Sequence, residues 1–359
     1  MIKKGIILAG GTGSRMSPIT KAVNKQLLPI YDKPLIFYPL SVLMLAGIRD
    51  ILIIVNKGQL NQFKKILPNG NNLGIKISYA EQKTPRGLPD AFLIGKKFIG
   101  KENVALILGD NFFYGQSLTK RLQQCIKLKT GASVFLHQVK NPSLYGIASI
   151  NKKNKIIKIV EKPKNPPTNL AVTGIYFLSP KIFDVFLRLK PSWRNELEIT
   201  DALQMMLEEG NKIGYEMITD YWKDTGTPED IINANSQILA NLISSNNGEI
   251  DETVKIEGSV VVGKNTIIQS NAKIIGPVII GRNCIIKQES VIGPNTSVGD
   301  DVTISNSKIS NSIIMSSCRI EGSLKIENSI ISSNSQIISN DDSGEGKIFL
   351  LGEGTKIYL

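Results

Sequence analysis

Hydrophobic positions divide the chain into two parts with different periods. Up to about residue 238, apolar runs of strand length alternate with longer helix-like stretches. The strand-length runs are Ile6–Ala9, Ile51–Val55, Val104–Leu108 and Ala132–Leu136, and the helix-like stretches are Phe37–Ile48, Leu88–Phe98, Leu118–Leu128 and Pro228–Leu239. This alternation predicts an α/β domain with a mostly parallel sheet.

A period of six begins after the polar segment 244–248. It is carried by ten branched aliphatic residues, namely Ile250, Ile256, Val262, Ile268, Ile274, Ile280, Ile286, Ile292, Val298 and Ile304. Hexapeptide repeats of this kind predict a parallel β-helix with the aliphatic column inside. We therefore predict two domains, at residues 1–243 and 249–359.

The hexapeptide rhythm changes near its end. After Ile304 the phase shifts by four residues and resumes at Ile314, Ile320 and Ile326. This shift predicts a loop or an altered coil near residues 305–313. We expect the tail, residues 347–359, to cap the open end, because a bare coil would leave strand edges and core exposed.

A glycine-rich loop follows the first predicted strand. Residues 10–15 read GGTGSR, and Lys25 follows ten residues after Arg15. Glycines let backbone N–H groups approach an oxyanion closely, and the two cations supply charge for a polyphosphate. The loop therefore indicates a nucleotide site. It matches neither the dinucleotide fingerprint, since Met16 replaces the third glycine, nor a P-loop, since Gly-Lys-Ser/Thr is missing.

Charge and composition narrow the function classes. The formal net charge is +12, and residues 1–245 carry 33 Lys and Arg against 18 Asp and Glu. These cations are scattered without interleaved aromatic residues, which favours a solvated basic surface that attracts anionic substrates over a nucleic-acid interface.

Membrane insertion, secretion and cysteine chemistry are not indicated by the sequence. No apolar run reaches the ~18 residues of a membrane span, and the first apolar patch is too short for a secretory signal. We therefore expect a cytoplasmic protein without membrane association. Cys125, Cys284 and Cys318 are widely separated, which predicts buried free thiols and neither a disulfide framework nor a zinc site.

The glycine-rich loop together with residues 25–29 (KQLLP) resembles the sugar-phosphate nucleotidyltransferases. Further segments resemble the glucose-1-phosphate thymidylyltransferases among them, in order and spacing: 25–38 (KQLLPIYDKPLIFY), 109–111 (GDN), 145–146 (YG), 161–163 (EKP), 172–174 (VTG), 196–201 (ELEITD) and 222–227 (WKDTGT). The resemblance implies a Rossmann-like nucleotidyltransferase domain followed by a left-handed β-helix. Its implied substrates are dTTP and glucose 1-phosphate.

The implied reaction needs no side-chain nucleophile. The phosphate oxygen of the sugar 1-phosphate, already ionised at neutral pH, attacks the α-phosphorus while pyrophosphate leaves in line. Catalysis therefore rests on alignment and charge neutralisation. We expect the single histidine, His137, to be a structural residue of a strand.

The resemblance also implies the site residues. The catalytic set is Arg15, Lys25, Asp110 and Lys162. The nucleotide-binding set is Leu8, Gly10, Gly11, Gly13, Arg15, Lys25, Gln26, Gln82, Gly87 and Asp110. The sugar-phosphate set is Asn111, Tyr145, Gly146, Glu161, Lys162, Val172 and Arg194. Mg²⁺ is the expected cofactor, on Asp110 and Asp224, since hard oxygen ligands suit it.

Alternatives remain open at this stage. UTP or another sugar 1-phosphate could be the substrate. An acyl-transferring β-helix would need a histidine base, and residues 138–359 contain none. A non-catalytic scaffold would not need Arg15, Lys25, Asp110 and Asp224, all of which are present. We expect the β-helix to assemble a homo-oligomer and to carry no chemistry.

Overall fold

The computed structural model describes residues 1–11, 13–17, 19–339, 346–347, 349–351 and 355–358. The strands before the repeats are β1 (Lys4–Ala9), β2 (Pro29–Ile30), β3 (Lys33–Pro34), β4 (Asp50–Asn56), β5 (Lys76–Gln82), β6 (Val104–Leu108), β7 (Asn111–Tyr114), β8 (Ala132–Gln138), β9 (Gly146–Ile150), β10 (Ile156–Glu161), β11 (Leu170–Leu178), β12 (Ile213–Ile218) and β13 (Tyr221–Asp224). The helices are α1 (Ile19–Ala22), α2 (Phe37–Leu45), α3 (Leu60–Ile66), α4 (Leu88–Ile94), α5 (Lys96–Ile99), α6 (Leu118–Cys125), α7 (Ile182–Phe186), α8 (Ile199–Glu208) and α9 (Pro228–Leu239).

The four predicted strands are confirmed as β1, β4, β6 and β8. The predicted helices are confirmed, and two of them, α2 and α6, end three residues earlier than predicted. One stretch is divided at Gly95 into α4 and α5, as expected for a residue that weakens a helix. Helix α9 has its predicted bounds, because Thr227 and Asp230 form a capping box at its start.

The chain packs as two compact units, residues 1–11 with 36–224 and residues 12–35 with 225–359. The boundary between domains 1–243 and 249–359 remains a prediction. Strand pairing of the repeats begins inside the polar segment, where Ser245–Asn246 pairs with Val261 and Val262.

The first unit contains a nine-stranded sheet in the order β10-β9-β11-β6-β1-β4-β5, in which β8 also pairs with β11 and β12 with β8. Its part β6-β1-β4-β5 is parallel, and β11 runs antiparallel to β6. Parallel strands end at the same edge of a sheet, so the residues after β1, β4, β5 and β6 gather there. This architecture is the predicted Rossmann-like α/β fold.

The repeats form a parallel β-helix. Its strands are β14 (Ser245–Asn246), β15 (Glu249–Ile250), β16 (Lys255–Glu257), β17 (Val260–Val262), β18 (Ile267–Ile268), β19 (Lys273–Ile275), β20 (Val278–Ile280), β21 (Ile285–Ile286), β22 (Val291–Ile292), β23 (Thr296–Val298), β24 (Thr303–Ser310), β25 (Ile313–Ile314), β26 (Arg319–Glu327), β27 (Ile330–Ile331), β28 (Gln336–Ile338), β29 (Gly346–Lys347), β30 (Leu350–Leu351) and β31 (Lys356–Tyr358). Neighbouring coils pair in parallel, as Ile268, Ile286 and Ile304 do in one column. The predicted aliphatic column is buried from Val262 onwards.

Glycines make the close stacking of coils possible. A Cβ on Gly263 would lie 2.3 Å from the carbonyl oxygen of Gly281, and one on Gly281 would lie 2.6 Å from that of Gly299. Any larger residue in this column would force neighbouring coils apart.

The phase shift is an altered coil. Ile309 and Ile314 continue the buried column after Ile304, and the pairing slips between Ser305 and Ser307. The coil is therefore shortened, and no loop leaves the β-helix at this point. In the tail, β30 and β31 pair with β27 and β28 and so continue the stack. The other residues of the predicted cap, 348, 352–354 and 359, lie outside the described part of the chain.

The three cysteines are buried and free, as predicted. Burial raises the pKa of the Cys125 and Cys318 thiols to about 11, so both stay protonated at neutral pH. Among the helices of the described residues, none has the length and apolarity needed to cross a bilayer.

The inward and outward positions of one strand should differ sharply in their effect on stability. We predict that Ile286→Ala, at a fully buried position, lowers the free energy of unfolding by about 2–5 kcal/mol. The matched control Ile285→Ala changes its 37% exposed neighbour and should cost no more than about 1 kcal/mol. Chemical denaturation of both variants measures the difference, and equal losses would contradict the assigned alternation.

Candidate functional site

The ends of β1, β4 and β5 meet at the predicted nucleotide loop. The Asn56 side chain donates to the carbonyl oxygen of Gly11 at 2.8 Å and accepts from its amide at 3.3 Å. Gln82 Nε2 donates to Asn56 Oδ1 at 2.8 Å. A Cβ on Gly10 would lie 1.7 Å from Gln82 Nε2, so any other residue there would displace the Gln82 side chain. Gly10, Gly11 and Gln82 are therefore together, and Leu8 lies in β1, where its carbonyl accepts from Gly109 at 2.9 Å.

Residues 86–87 are joined to the loop that carries Arg194. Leu197 N–H donates to the Arg86 carbonyl at 2.8 Å, and Gly87 and Leu197 form a parallel bridge. Gly87 has a φ of 108°, and a Cβ there would lie 2.1 Å from the Leu197 carbonyl oxygen. Gly87 of the predicted nucleotide-binding set is thus joined directly to Leu197, three residues after Arg194 of the predicted sugar-phosphate set.

Gly13, Arg15, Lys25 and Gln26 belong to the second compact unit. Gly13 has a φ of 59° and precedes the helical turn Ser14–Met16, and its carbonyl accepts from Thr20 Oγ1 at 2.8 Å. A Cβ on Gly226 would lie 2.8 Å from Arg15 Nη2, so glycine there leaves room for the guanidinium.

Lys25 and Gln26 lie on a 3₁₀ turn, Lys25–Leu27, that is capped by Asn24. The Asn24 side chain accepts from the Gln26 amide at 2.9 Å. Lys25 is 9% exposed and Gln26 is 2% exposed. A buried ammonium group requires polar partners, so this turn is held in a defined position.

The predicted metal ligands are brought together by strand pairing. β7 and β13 are antiparallel, and Asp224 lies opposite Asn111, the residue after Asp110. Asn111 Nδ2 donates to Asp110 Oδ1 at 3.2 Å, while its Oδ1 accepts from Trp222 Nε1 at 2.7 Å and from the Gly174 amide at 3.1 Å. Asn111 is thus a buried residue that contacts the Asp110 carboxylate and lies opposite Asp224 in the strand pair.

The sugar-side residues surround the pair β9 and β10. Glu161 lies opposite Gly146, and the Lys162 amide donates to the Tyr145 carbonyl at 3.1 Å. A Cβ on Gly146 would lie 2.5 Å from Thr200 Cγ2, so a side chain is excluded there. Val172 is 6% exposed in β11, which joins the same sheet.

Glu161 is a perturbed acid. Thr200 Oγ1 donates to its Oε2 at 2.9 Å. Burial raises the pKa of the Glu161 carboxyl above its usual value, the Thr200 hydrogen bond offsets part of this, and the nearby Glu198 adds to the rise. Such a perturbed carboxyl is typical of a functional site.

Arg194 is held by two carboxylates. Its Nη2 pairs with Glu196, and its Nε lies 3.2 Å from Glu198 Oε1. Ser192 Oγ donates to the same Glu198 oxygen at 2.8 Å. Glu198 is 5% exposed, so it anchors the loop that carries Arg194.

Four supporting residues, Asn56, Thr200, Glu198 and Trp222, are not among the site residues predicted from the sequence. Thr200 and Glu198 lie within the recognised ELEITD segment and Trp222 within WKDTGT, whereas Asn56 had only its position at a strand end as a signal.

The expected structural role of His137 agrees with its contacts. Its Nδ1 lies 2.9 Å from the Ile218 carbonyl oxygen, and its ring packs at 5.6 Å on Trp222. Within the described residues, no group of three or more histidine, cysteine, aspartate or glutamate residues gathers as a metal centre. Mg²⁺ requires only one or two carboxylates, so Asp110 and Asp224 still fit it.

Comparison with known proteins matches both parts of the chain. Residues 4–241 match the family described as Nucleotidyl transferase, and residues 274–354 match the GMPPB C-terminal domain. A glucose-1-phosphate thymidylyltransferase of Neisseria meningitidis is 51% identical over 234 residues, covering 65% of this chain and 81% of the relative. The low-salt glycan biosynthesis nucleotidyltransferase Agl11 of Haloferax volcanii is 38% identical over 357 residues, covering 99% of this chain and all of the relative.

Solved structures agree with the family match. A crystal structure of a glucose-1-phosphate thymidylyltransferase from Bacillus anthracis has a TM-score of 0.61 and 39% identity, covering 65% of this chain and 94% of that one. A UDP-glucose pyrophosphorylase complexed with UDP-glucose has a TM-score of 0.61 and 32% identity, covering 67% of this chain and 99% of that one. The chain belongs to the nucleotidyl transferase family.

Proposed function

We propose that this enzyme transfers dTMP from dTTP to glucose 1-phosphate, giving dTDP-glucose and pyrophosphate. The observation that supports the proposal is the antiparallel register of β7 and β13, in which Asp224 lies opposite Asn111, the residue after Asp110. The choice of dTTP and glucose 1-phosphate is supported by the names of several relatives at 44–51% identity.

The reaction forms one phosphorus–oxygen bond and breaks another. An oxygen of the sugar phosphate attacks the α-phosphorus of dTTP, and the bond from that phosphorus to the pyrophosphate oxygen breaks. Arg15, Lys25 and Lys162 neutralise the phosphate charges, and Arg194 holds the sugar phosphate. Glu161 and Tyr145 border the hexose. Alignment and neutralisation then lower the barrier without a covalent intermediate.

Asp110 and Asp224 would hold Mg²⁺. Two neighbouring carboxylates are hard oxygen donors of the kind that this ion takes together with substrate phosphates. When bound, the ion neutralises charge on the phosphate oxygens. Asn111 keeps one of these carboxylates oriented through its amide.

UTP is the second candidate donor, favoured by the similarity to the UDP-glucose pyrophosphorylase structure. Near Gly87, the predicted nucleotide-binding residue, Arg86 Nη2 lies 2.7 Å from Asp90 Oδ1. This ion pair borders a cavity of about 520 Å³ that Glu81, Lys83 and Thr84 also line.

We further infer that the protein is cytoplasmic and that it forms a homo-oligomer. The outer sides of the β-helix are suited to contacts between subunits.

Pyrophosphate release tests the proposed reaction directly. We predict that the purified chain with Mg²⁺ releases pyrophosphate fastest from dTTP with glucose 1-phosphate, and more slowly with UTP. The measurement is a screen of four nucleoside triphosphates against several sugar 1-phosphates. If no pair released pyrophosphate, the proposed enzymatic activity would be contradicted. A faster rate with UTP would contradict only the choice of dTTP as the nucleotide donor.

Removal of either carboxylate should change the metal requirement. We predict that Asp110→Asn and Asp224→Asn each lower turnover and raise the Mg²⁺ concentration for half-maximal rate by more than about tenfold, since changes in outer-sphere partners alone cost ~10–100-fold. The control Asp184→Asn, at an exposed position of helix α7, should leave both quantities unchanged. A Mg²⁺ titration of the rate measures them, and unaltered titrations in both site variants would remove the assigned ligands.

The buried carboxyl of Glu161 should oppose stability at neutral pH. Its pKa is raised above the ordinary 4.5, so the folded chain binds more protons than the unfolded chain just above pH 4.5, and stability falls as pH rises there. We predict that Glu161→Gln raises the melting temperature at pH 7.5 and lowers the rate of pyrophosphate release with the sugar 1-phosphate.

The pH dependence separates this charge effect from general stabilisation. The difference in melting temperature should shrink as pH falls below 4.5, where the wild-type carboxyl is protonated in both states. The control Glu252→Gln, at an exposed position, should show no such trend. A Glu161→Gln variant that is less stable at pH 7.5 would contradict the prediction.

A further inference from the structure

One fully buried amide in the second unit joins two distant segments. Asn235, in α9, has 0% exposure. Its Oδ1 accepts from the Tyr31 amide at 2.8 Å and from Ser297 Oγ at 2.8 Å. A backbone N–H can only donate, so the Tyr31 bond fixes which end of the Asn235 amide carries the oxygen. Ser297 of the β-helix and Tyr31 therefore share a single acceptor atom.

Tyr31 occupies a strained position. It begins the two-residue turn between β2 and β3 with a φ of 62°, a left-handed conformation that bulky residues rarely adopt. Strain of this kind persists only where surrounding contacts hold it. The Asn235 bond to the Tyr31 amide is such a contact.

Ser297 faces outward from the β-helix and is nevertheless buried. Its neighbour Val298 belongs to the inner column, so alternation along β23 directs Ser297 away from the core. The same outward register continues at Ile313 and Ile330, which are 1% and 0% exposed. On another sheet of the β-helix, outward Ile267 is 41% exposed. This face is therefore covered, and at Ser297 the contact is with Asn235 of α9.

The β2–β3 hairpin is continuous with the turn that carries Lys25 and Gln26. The Leu35 amide donates to the Leu28 carbonyl at 2.9 Å, which closes the base of the hairpin directly after that turn. Asn24 caps the turn on its other side. A displacement of the hairpin would therefore move Lys25 and Gln26.

We propose that the β-helix coil at Ser297 positions the phosphate-binding segment 24–35 through Asn235. Asn235 and Ser297 are positioning residues, and Lys25 is the group on which they act. The part that concerns catalysis rests on the proposed function. The β-helix thus contributes to the site without a chemical group of its own.

The amide of Asn235 has a cost that favours this role over simple packing. Its Nδ2 is buried without a hydrogen-bond partner among the described residues. An apolar side chain of similar size would avoid that penalty, since an unsatisfied buried donor destabilises the folded state. The acceptor oxygen, which serves Tyr31 and Ser297, accounts for the presence of an amide.

Hydrogen exchange of the full chain tests the mechanical part without any substrate. Ser297→Ala and Asn235→Ala should increase amide exchange in a peptide covering residues 24–35 by about tenfold, as expected for a lost hydrogen bond. The control is Ser312→Ala, whose buried hydroxyl donates to the Ser310 carbonyl at 2.7 Å and accepts from the Ser329 amide at 3.1 Å, so that both of these bonds stay within the β-helix. Ser297→Thr keeps a hydroxyl and should restore slow exchange. Unchanged exchange in both test variants, or an equal increase in Ser312→Ala, would overturn the proposal.

Kinetics of the same variants test the consequence for the site. We expect Ser297→Ala to lower kcat with the favoured pair by about tenfold at an unchanged melting temperature, because a small misplacement of a charge-neutralising group is costly. Ser312→Ala should retain kcat, and Ser297→Thr should recover it. Faster exchange with full turnover would overturn the positioning role. If the wild type releases no pyrophosphate, the proposed function fails, while the exchange comparison still decides whether Ser297 holds the segment.

Discussion

The first unit depends on the hydrogen bonds of one buried amide, Asn111. Its nitrogen donates to Asp110, and its oxygen accepts from Trp222 and from the backbone of Gly174. These bonds tie the start of β7 to β11 and β13, and in the register of β13 Asp224 lies opposite Asn111. Trp222 in turn packs against Tyr145 at 5.5 Å, so the network reaches one of the residues predicted to bind the sugar phosphate. A polar network of this kind is specific because every missing partner is costly in a low-dielectric interior.

The architecture could be predicted from the sequence wherever it depends on the spacing of apolar residues. Buried parallel strands read as continuous apolar runs, so the bounds of β6 were predicted without error. The β-helix followed from an aliphatic spacing of six, which the coil pairing confirms. Helix bounds were less accurate. The apolar pattern continues across Gly95, but glycine weakens the interior of a helix, and the structure has two helices there instead of one.

The candidate site was predictable only as far as motifs reach. The glycine loop was predicted from backbone chemistry, and Asp110 was predicted from the resemblance that segment 109–111 helps to carry. The role of Asn56 was not predictable, since its contacts with Gly11 and Gln82 join three strands that are far apart in sequence. The raised pKa of Glu161 was also beyond the sequence, because it depends on burial and on the approach of Glu198. Roles that rest on proximity across the fold leave no local pattern.

The stacking of coils fixes some positions of each repeat and leaves the outward positions of the β-helix available for contacts with other segments of its unit. Stacking fixes the inner column as aliphatic and one outer column as glycine, so these positions cannot vary freely. Outward positions are free of that constraint, and one face carries Ser297, Ile313 and Ile330 where solvent-facing residues would otherwise stand. The coils of the β-helix move little relative to one another, since each coil is hydrogen-bonded to its neighbours along whole strands. A polar contact on such a surface can therefore hold a strained turn such as that of Tyr31 more firmly than a contact from a loop.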